Sequence, residues 1–380
     1  MNKIIYLDYN ATAALRPSAR VAMQAVLNCE NAAYNASAVH SYGREGRKIV
    51  EDARTHVAKL VGADTNQIIF NSGATEGNNT VLRHFADTYP DETILISASE
   101  HPSISEHQNT LPNAQTIPVN DQGLTDLGAL ETLLNDHKVC LVSCMFVNNE
   151  SGVIQDVAQI SALAHKYGAL FHCDAVQAAG RIPVDMKENG IDFLTVSAHK
   201  IGGPQGVGAL ALGLCGQTPT LLIGGGQEKS ARAGTENVAG IAGFGAAAQE
   251  SYEYMNHYQA LEGWREKLEE RITSISPDII IHAKGTRRVA NTSFFSLPDT
   301  NSQTLLMALD LEGIALSNGS ACSSGTVKPS TTLLAMGLDE KVAASALRIS
   351  MGWATKEDDI DAFLAAWEKI YTRLQNKKGK

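Results

Sequence analysis

Apolar residues fall into two rhythms along the first 240 positions. Short runs at 3–7, 67–70, 93–97, 140–147, 169–173, 193–197 and 207–212 have the length of buried strands. Elsewhere apolar residues recur every three or four positions. Ile49, Val50, Ala53, Val57 and Leu60 do so, as does the stretch 156–167, and that spacing places them on one face of a helix. Positions 10–14 are turn-prone, and Asn71–Gly77 leads from the 67–70 run into a helix. Strands alternating with helices predict an α/β fold with a largely parallel sheet. After about residue 240 the texture changes. Tyr258, Leu261, Trp264, Leu268 and Ile272 mark a long amphipathic helix, followed by shorter strands at 279–282, 289–295 and 346–351. Ile360, Phe363, Leu364, Trp367, Ile370, Tyr371 and Leu374 then line one face of a last helix, so this part reads as a second, smaller α+β domain.

With 380 residues, 44% hydrophobic and 19% charged, the chain has room for two domains and an ordinary globular composition. The formal net charge of −10 argues against nucleic acid as a partner. No apolar run is long enough to span a membrane, and Lys3 and Asp8 bring charge too early for a secretory signal, so the expected compartment is the cytoplasm. The cysteines are Cys29, Cys140, Cys144, Cys173, Cys215 and Cys322, with no C-x-x-C pair and no cluster-binding spacing. Cys140, Cys144 and Cys173 lie in or beside strand runs and read as buried structural thiols. Cys322 differs: it sits in Ser317–Gly325, a small, polar, glycine-flanked stretch with nothing to bury a thiol.

Five strand ends deliver polar groups: Thr75, His101, Asn149, Asp174 and Lys200. In a parallel sheet these ends share one edge, where open α/β sheets bind ligands. Each has a plain alternative. Asn71–Gly77 would serve as a turn, Asp174 as a helix cap, and Lys200 as a surface lysine. Together they describe an anion cradle at a helix start, a histidine able to stack and move protons, and a carboxylate for a ring nitrogen. They add a lysine able to form a Schiff base, and this set is what pyridoxal phosphate requires.

At this point the chain resembles the cysteine desulfurase family, the NifS/IscS-like group of fold-type I pyridoxal phosphate-dependent transferases. The likeness runs through Tyr6–Ala13, Ser37–His40, Gly43–Arg44, Ser72–Glu76, Glu100–Pro102, Val147–Glu150, His172–Gln177, Ser197–Lys200, Arg232–Asn237, Gly319–Ser324 and Leu347–Ser350. It implies a large cofactor-binding domain over 15–256. It also implies a small domain of 1–14 and 257–380 that carries the cysteine loop and the substrate-carboxylate arginine.

By the resemblance, Lys200 carries pyridoxal 5′-phosphate, Asp174 partners its ring nitrogen, Gln177 its ring hydroxyl, and His101 stacks on the ring. Ala74, Thr75, Ser197 and His199 contact the phosphate, and Thr235 does so from a second subunit, implying a homodimer. Asn149 contacts both cofactor and substrate, Arg348 holds the substrate L-cysteine by its carboxylate, and Cys322 accepts its sulfur. No resident metal is implied, only a transient iron–sulfur contact at Cys322. Arg348 alternates with Leu347 and Ile349, which turns its planar guanidinium away from the apolar face.

The implied activity turns L-cysteine into L-alanine, with a persulfide on Cys322 that passes to a sulfur acceptor or iron–sulfur scaffold protein. A selenocysteine lyase or an aminotransferase is the related alternative, and an iron–sulfur scaffold the alternative of another class. The chain departs from the family at Ala13–Ala14, where members often have Thr-Pro. It also ends soon after its last helix, where some members carry a scaffold-docking tail, and this leaves the acceptor open.

Overall fold

The computed structural model of this chain describes residues 4–30, 33–318 and 328–378. Its strands are β1 (Ile5–Tyr6), β2 (Ile68–Asn71), β3 (Thr93–Ser97), β4 (Ala114–Ile117), β5 (Val139–Ser143) and β6 (Leu170–Asp174). They continue with β7 (Phe193–Ser197), β8 (Gly208–Leu212), β9 (Ile280–Ile281), β10 (Thr292–Ser296), β11 (Ile314–Ala315) and β12 (Ala346–Ser350).

Seven of them form one sheet in the order β2-β8-β7-β6-β5-β3-β4. The pairs from β7 across to β4 are parallel, while β8 runs antiparallel to both β7 and β2. The reversal of β8 follows from its connection. Only the short stretch 198–207 joins it to β7, too little for a crossover. Because β8 is the reversed strand, β2 points the same way as β3, β5, β6 and β7, and their C-terminal ends share an edge.

Strand alternation buries both faces of this sheet. On β3, Leu95 joins a core with Val57, Phe171 and Phe244, while Ile94 and Ile96 join the opposite core with Val81 and Phe85. The helices Ser41–Val61 and Val238–Glu253 pack against each other over the first core, where Gly245 lets the chains approach: a Cβ there would sit 2.5 Å from Ala53 Cα. Helix Ala74–Thr88 covers the other face, with Phe85 edge-on to Phe193 at 5.5 Å.

A second layer is built on β10, which pairs antiparallel with β12 and β9. Its core joins Leu268 and Ile272 of helix Met255–Ile275 to Phe363 and Trp367 of helix Glu357–Lys378, together with Phe295, Leu347 and Ile349. Leu7 lies in that same core, and β1 pairs in parallel with β11, placing Ile5 opposite Ile314. The amino-terminal residues thus dock on the late part of the chain before they cross to the large sheet.

Several elements differ from the sequence reading. β4 lies at the sheet edge and is half polar, so Ala114–Ile117 leaves no apolar run to detect. The 140–147 run is longer than its strand. After Ser143 the chain leaves the ladder, and Phe146 instead bonds Asp174 and Gln155 through its backbone. The 289–295 strand is observed at Thr292–Ser296. Cys140, Cys144 and Cys173 are buried, as expected. Cys322 lies outside the described residues.

Candidate active site

The shared edge of the large sheet opens into a cavity of about 450 Å³. Thr75, His101, Asn149, Asp174 and Lys200 all line it, as do Ala74, Gln177, Ser197 and His199. The five strand ends singled out from the sequence therefore meet in one place. The cause is topological: each follows or ends a strand of the same direction.

At one end of the cavity the chain turns from β2 into helix Ala74–Thr88 through Gly73, whose φ of +150° favours glycine. Gly208 on β8 runs so close that a Cβ there would stand 2.7 Å from Gly73 Cα. The amide groups of the first helical turn point at the cavity, an arrangement that suits an anion. Arg232 grips Glu76 in this turn with two hydrogen bonds, 2.9 and 3.2 Å. Burial alone would raise the Glu76 carboxyl, but the bonds from Arg232 and Ser72 outweigh it and hold the group below its ordinary range. The charge that could repel an anion is thereby paired.

Lys200 follows β7 and donates from Nζ to the carbonyls of Asn10 (2.6 Å) and Ala11 (2.8 Å). Burial, with Arg348 and Arg181 nearby, pulls its pKa down to about 7, against the opposing pull of Asp8 and Asp174. A lysine lowered this far gives up its proton near neutral pH, as a nucleophile or base must. Beside it His199, bonded to Thr12 at 3.2 Å, is driven down to about 4 by burial and by Lys200.

Asp174 ends β6 with both oxygens engaged. Oδ1 accepts the Val176 amide at 2.9 Å and Oδ2 accepts Asn78 Nδ2 at 2.8 Å. Behind it Glu100 accepts the Met145 amide, and full burial next to Asp174 raises its carboxyl well above the usual range. His101 is lowered, first by burial and then by Lys200, with Asp174 acting the other way. Gln177 donates to Asn10 O at 2.9 Å, and its Oε1 is buried without a partner among the described residues.

Arg348 stands on β12 between Leu347 and Ile349, which enter the core on the other face. Its guanidinium reaches Asp8 Oδ1 at 2.7 Å and Asn149 O at 2.8 Å. Thr235 is not brought to the cavity within one chain. It lines an adjoining one of about 160 Å³ that shares Ser72 and Gly206 with the first.

The sequence reading assigned no role to Asn10, which is buried and bonds Lys200, Gln177 and the Asn149 carbonyl. Besides Lys200 and Gln177 it binds Arg181 (2.8 Å), Thr292 (3.0 Å), the Asn149 carbonyl (3.1 Å) and Asn291 (3.2 Å). Asn78 and Ser103 were also passed over. Two adjacent asparagines inside a helical pattern, at 78 and 79, were the available signal, since Asn is a weak helix former.

The chain matches the class-V aminotransferase family over residues 5–363. It is 36% identical over 382 residues to cysteine desulfurase IscS of Dictyoglomus turgidum (strain DSM 6724 / Z-1310), covering 99% of this chain and 96% of that protein. It is also 36% identical to a cysteine desulfurase of Sinorhizobium fredii (strain NBRC 101917 / NGR234), covering 98% of each. Among solved structures, a NifS-like protein from Rickettsia africae ESF-5 superposes with a TM-score of 0.90 at 40% identity, covering 97% of this chain and 99% of that one.

Proposed function

The chain belongs to the class-V aminotransferase family, on its cysteine desulfurase branch, and we propose that it works on L-cysteine with pyridoxal 5′-phosphate bound in the cavity at Lys200. The observation that carries this reading is the convergence of Thr75, His101, Asn149, Asp174 and Lys200 on one cavity.

The residues present fit the cofactor. The helix start at Ala74 and Thr75 offers amides to a phosphate, the Gly73 amide being taken by Asn71 Oδ1, and Ser197 and His199 line the same cavity. Asp174 offers a carboxylate to a ring nitrogen and His101 a flat face, and Gln177 lines the same cavity as the donor to a ring hydroxyl. Lys200, held near pH 7, suits an aldehyde carbon. When bound, pyridoxal phosphate supplies an electron sink for the bonds at the substrate Cα.

Arg348 binds the substrate carboxylate in a bidentate clasp, its plane fixed by Asp8 and the Asn149 carbonyl. Lys200 Nζ takes the proton from the substrate Cα. His101 exchanges protons at its free ring nitrogen. Cys322, as thiolate, attacks the substrate Sγ. The Cβ–Sγ bond breaks, an S–S bond forms on Cys322, and Cβ ends with a proton. The balance is cysteine plus enzyme thiol giving alanine plus enzyme persulfide, which an acceptor thiol then discharges. Thr235 reaches the phosphate of a second copy, so the working form is a homodimer, and its expected compartment is the cytoplasm. A sulfur-acceptor or iron–sulfur scaffold protein receives the sulfur.

The test is to incubate the purified protein with L-cysteine and a dithiol, and to measure alanine and sulfide together. Equal yields of both support the reading. An oxo acid in place of alanine would sink it.

A further inference from the structure

A line of hydrogen bonds runs from Asp174 to His101 and has a fixed direction. Asn78 is fully buried, and its Nδ2 donates twice, to Asp174 Oδ2 at 2.8 Å and to Ser103 Oγ at 2.9 Å. Ser103 then contacts His101 Nδ1 twice, through Oγ at 2.9 Å and through its backbone N–H at 3.1 Å.

A backbone N–H can only donate, so Nδ1 must be an acceptor and carries no proton. Ser103 Oγ already accepts from Asn78, which leaves its own hydrogen for Nδ1. Asn78 cannot turn over, because its Oδ1 would then face the Asp174 carboxylate and its NH2 would be orphaned. In the observed orientation only Oδ1 lacks a partner, the smaller loss.

We infer that Asn78 and Ser103 are positioning residues that hold His101 in its Nε2–H tautomer, so that the imidazole faces the substrate cavity as a proton donor. The inference rests on the desulfurase reading of the cavity. Asp174 thus acts at two places: directly at the ring-nitrogen position, and through Asn78 and Ser103 on the tautomer of the histidine. His101 also caps the short helix Pro102–Ser105 through the same Ser103 amide. A purely structural cap would need neither the hydroxyl of Ser103 nor Asn78.

The charged and titratable groups around the ring are Asp174, Lys200 and the adjoining Glu100, with His199 and Glu76 across the cavity. Burial already lowers the imidazole, and two donors on Nδ1 act in the same direction, since each favours the unprotonated nitrogen.

The experiment follows deuterium exchange at the C2 position of each histidine by mass spectrometry, across pH, in the cofactor-loaded protein. It gives a titration midpoint for His101 that does not depend on turnover. Ser103→Ala should raise that midpoint by roughly one pH unit. Ser103→Thr should restore it, and His282, remote from the site, should not move. Asn78→Ala should raise it by less. The pH profile of alanine release should move in the same direction. An unchanged midpoint in Ser103→Ala overturns the inference. So does a lowered one, which would mean that the hydroxyl accepts from a protonated ring. If Ser103→Ala fails to fold by circular dichroism, Asn78→Ala decides in its place, and a fixed midpoint there is equally fatal. If the parent protein makes no alanine from cysteine, the desulfurase reading fails while the midpoints still judge the tautomer.

Discussion

Lys200 Nζ and the Asn10 carbonyl oxygen lie 2.6 Å apart, although 190 positions separate them in sequence. The same Asn10 accepts from Arg181 through its side chain. Asn10→Ala would leave a buried guanidinium short of an acceptor, and should cost roughly 2–4 kcal/mol. Urea denaturation of the variant beside the parent measures this. A loss within error of zero would mean that the network re-forms without Asn10.

Lys200→Ala should fold and release no alanine. After borohydride reduction of the parent, peptide mapping should find the cofactor mass on the peptide that contains residue 200. Finding it on Lys187 or Lys229 would refute the assignment. In cofactor-free protein, Lys200 should react with an amine reagent with a midpoint of about 7, instead of the ordinary 10.5. Between those values the unfolded chain binds the proton and the folded chain does not. This group therefore makes the cofactor-free protein gain stability as pH rises from about 7 to 10.5.

The thiols divide by environment. Burial pushes Cys140 and Cys144 up to about 12 and raises Cys173 well above the ordinary thiol. None of the three supplies a thiolate at neutral pH. Replacing any of them by Ala should cost on the order of 1 kcal/mol and leave turnover measurable. Cys322→Ser should bind cofactor and cysteine, yet make no alanine and carry no persulfide. Alanine release and persulfide trapping across this set decide the matter. Near-parent turnover in Cys322→Ser would place the nucleophile elsewhere.

Arg348→Lys keeps the charge but loses the planar fork set by Asp8 and the Asn149 carbonyl. KM for cysteine should rise about tenfold, with a smaller effect on kcat. Steady-state kinetics separate the two, and an unchanged KM would remove Arg348 from the carboxylate site.

Three histidines should make the fold acid-sensitive. Burial lowers His172 to about 3 and His282 to about 4, and burial with Lys200 lowers His199 to about 4. Below about 6.5 the unfolded chain takes up protons that the folded chain refuses, so stability falls as pH drops from there toward 4. Each histidine contributes a slope of about 1.4 kcal/mol per pH unit in that window. His282→Gln should reduce the measured slope by that amount in urea titrations between pH 6.5 and 4.5. An identical slope would contradict it.

The sheet and its polar edge were legible because each strand carries its own signal: an apolar run, then Thr75, His101, Asn149, Asp174 or Lys200 within a few positions. Arg348 was legible because a lone charge between Leu347 and Ile349 has one place to point. Asn10, Asn78 and Ser103 were not. Asn10 and Asn78 act through contacts across 25 to 340 positions, and Ser103, though two positions from His101, joins the network only through Asn78, 25 positions away; nothing in a local pattern encodes a hydrogen bond made at that separation. β4 was missed for the opposite reason, since an edge strand buries too little to need apolar residues.

The parallel pairing of β1 with β11, continued by the Asp8 bridge to Ser350, has a consequence for biosynthesis. Residues 5–10 are made early but dock on strands made some 300 positions later. Gln177, Arg181 and Lys200, which bind Asn10, are made before β11 and β12, whereas Tyr9 and Asn10 also bond Ser350, so the first strand is seated last. Such long-range closure is slow. A nascent chain stalled before residue 314 therefore already carries Thr75, His101, Asn149, Asp174 and Lys200, which converge on the cavity, but not Cys322 or Arg348, and the catalysis proposed for the chain waits for both.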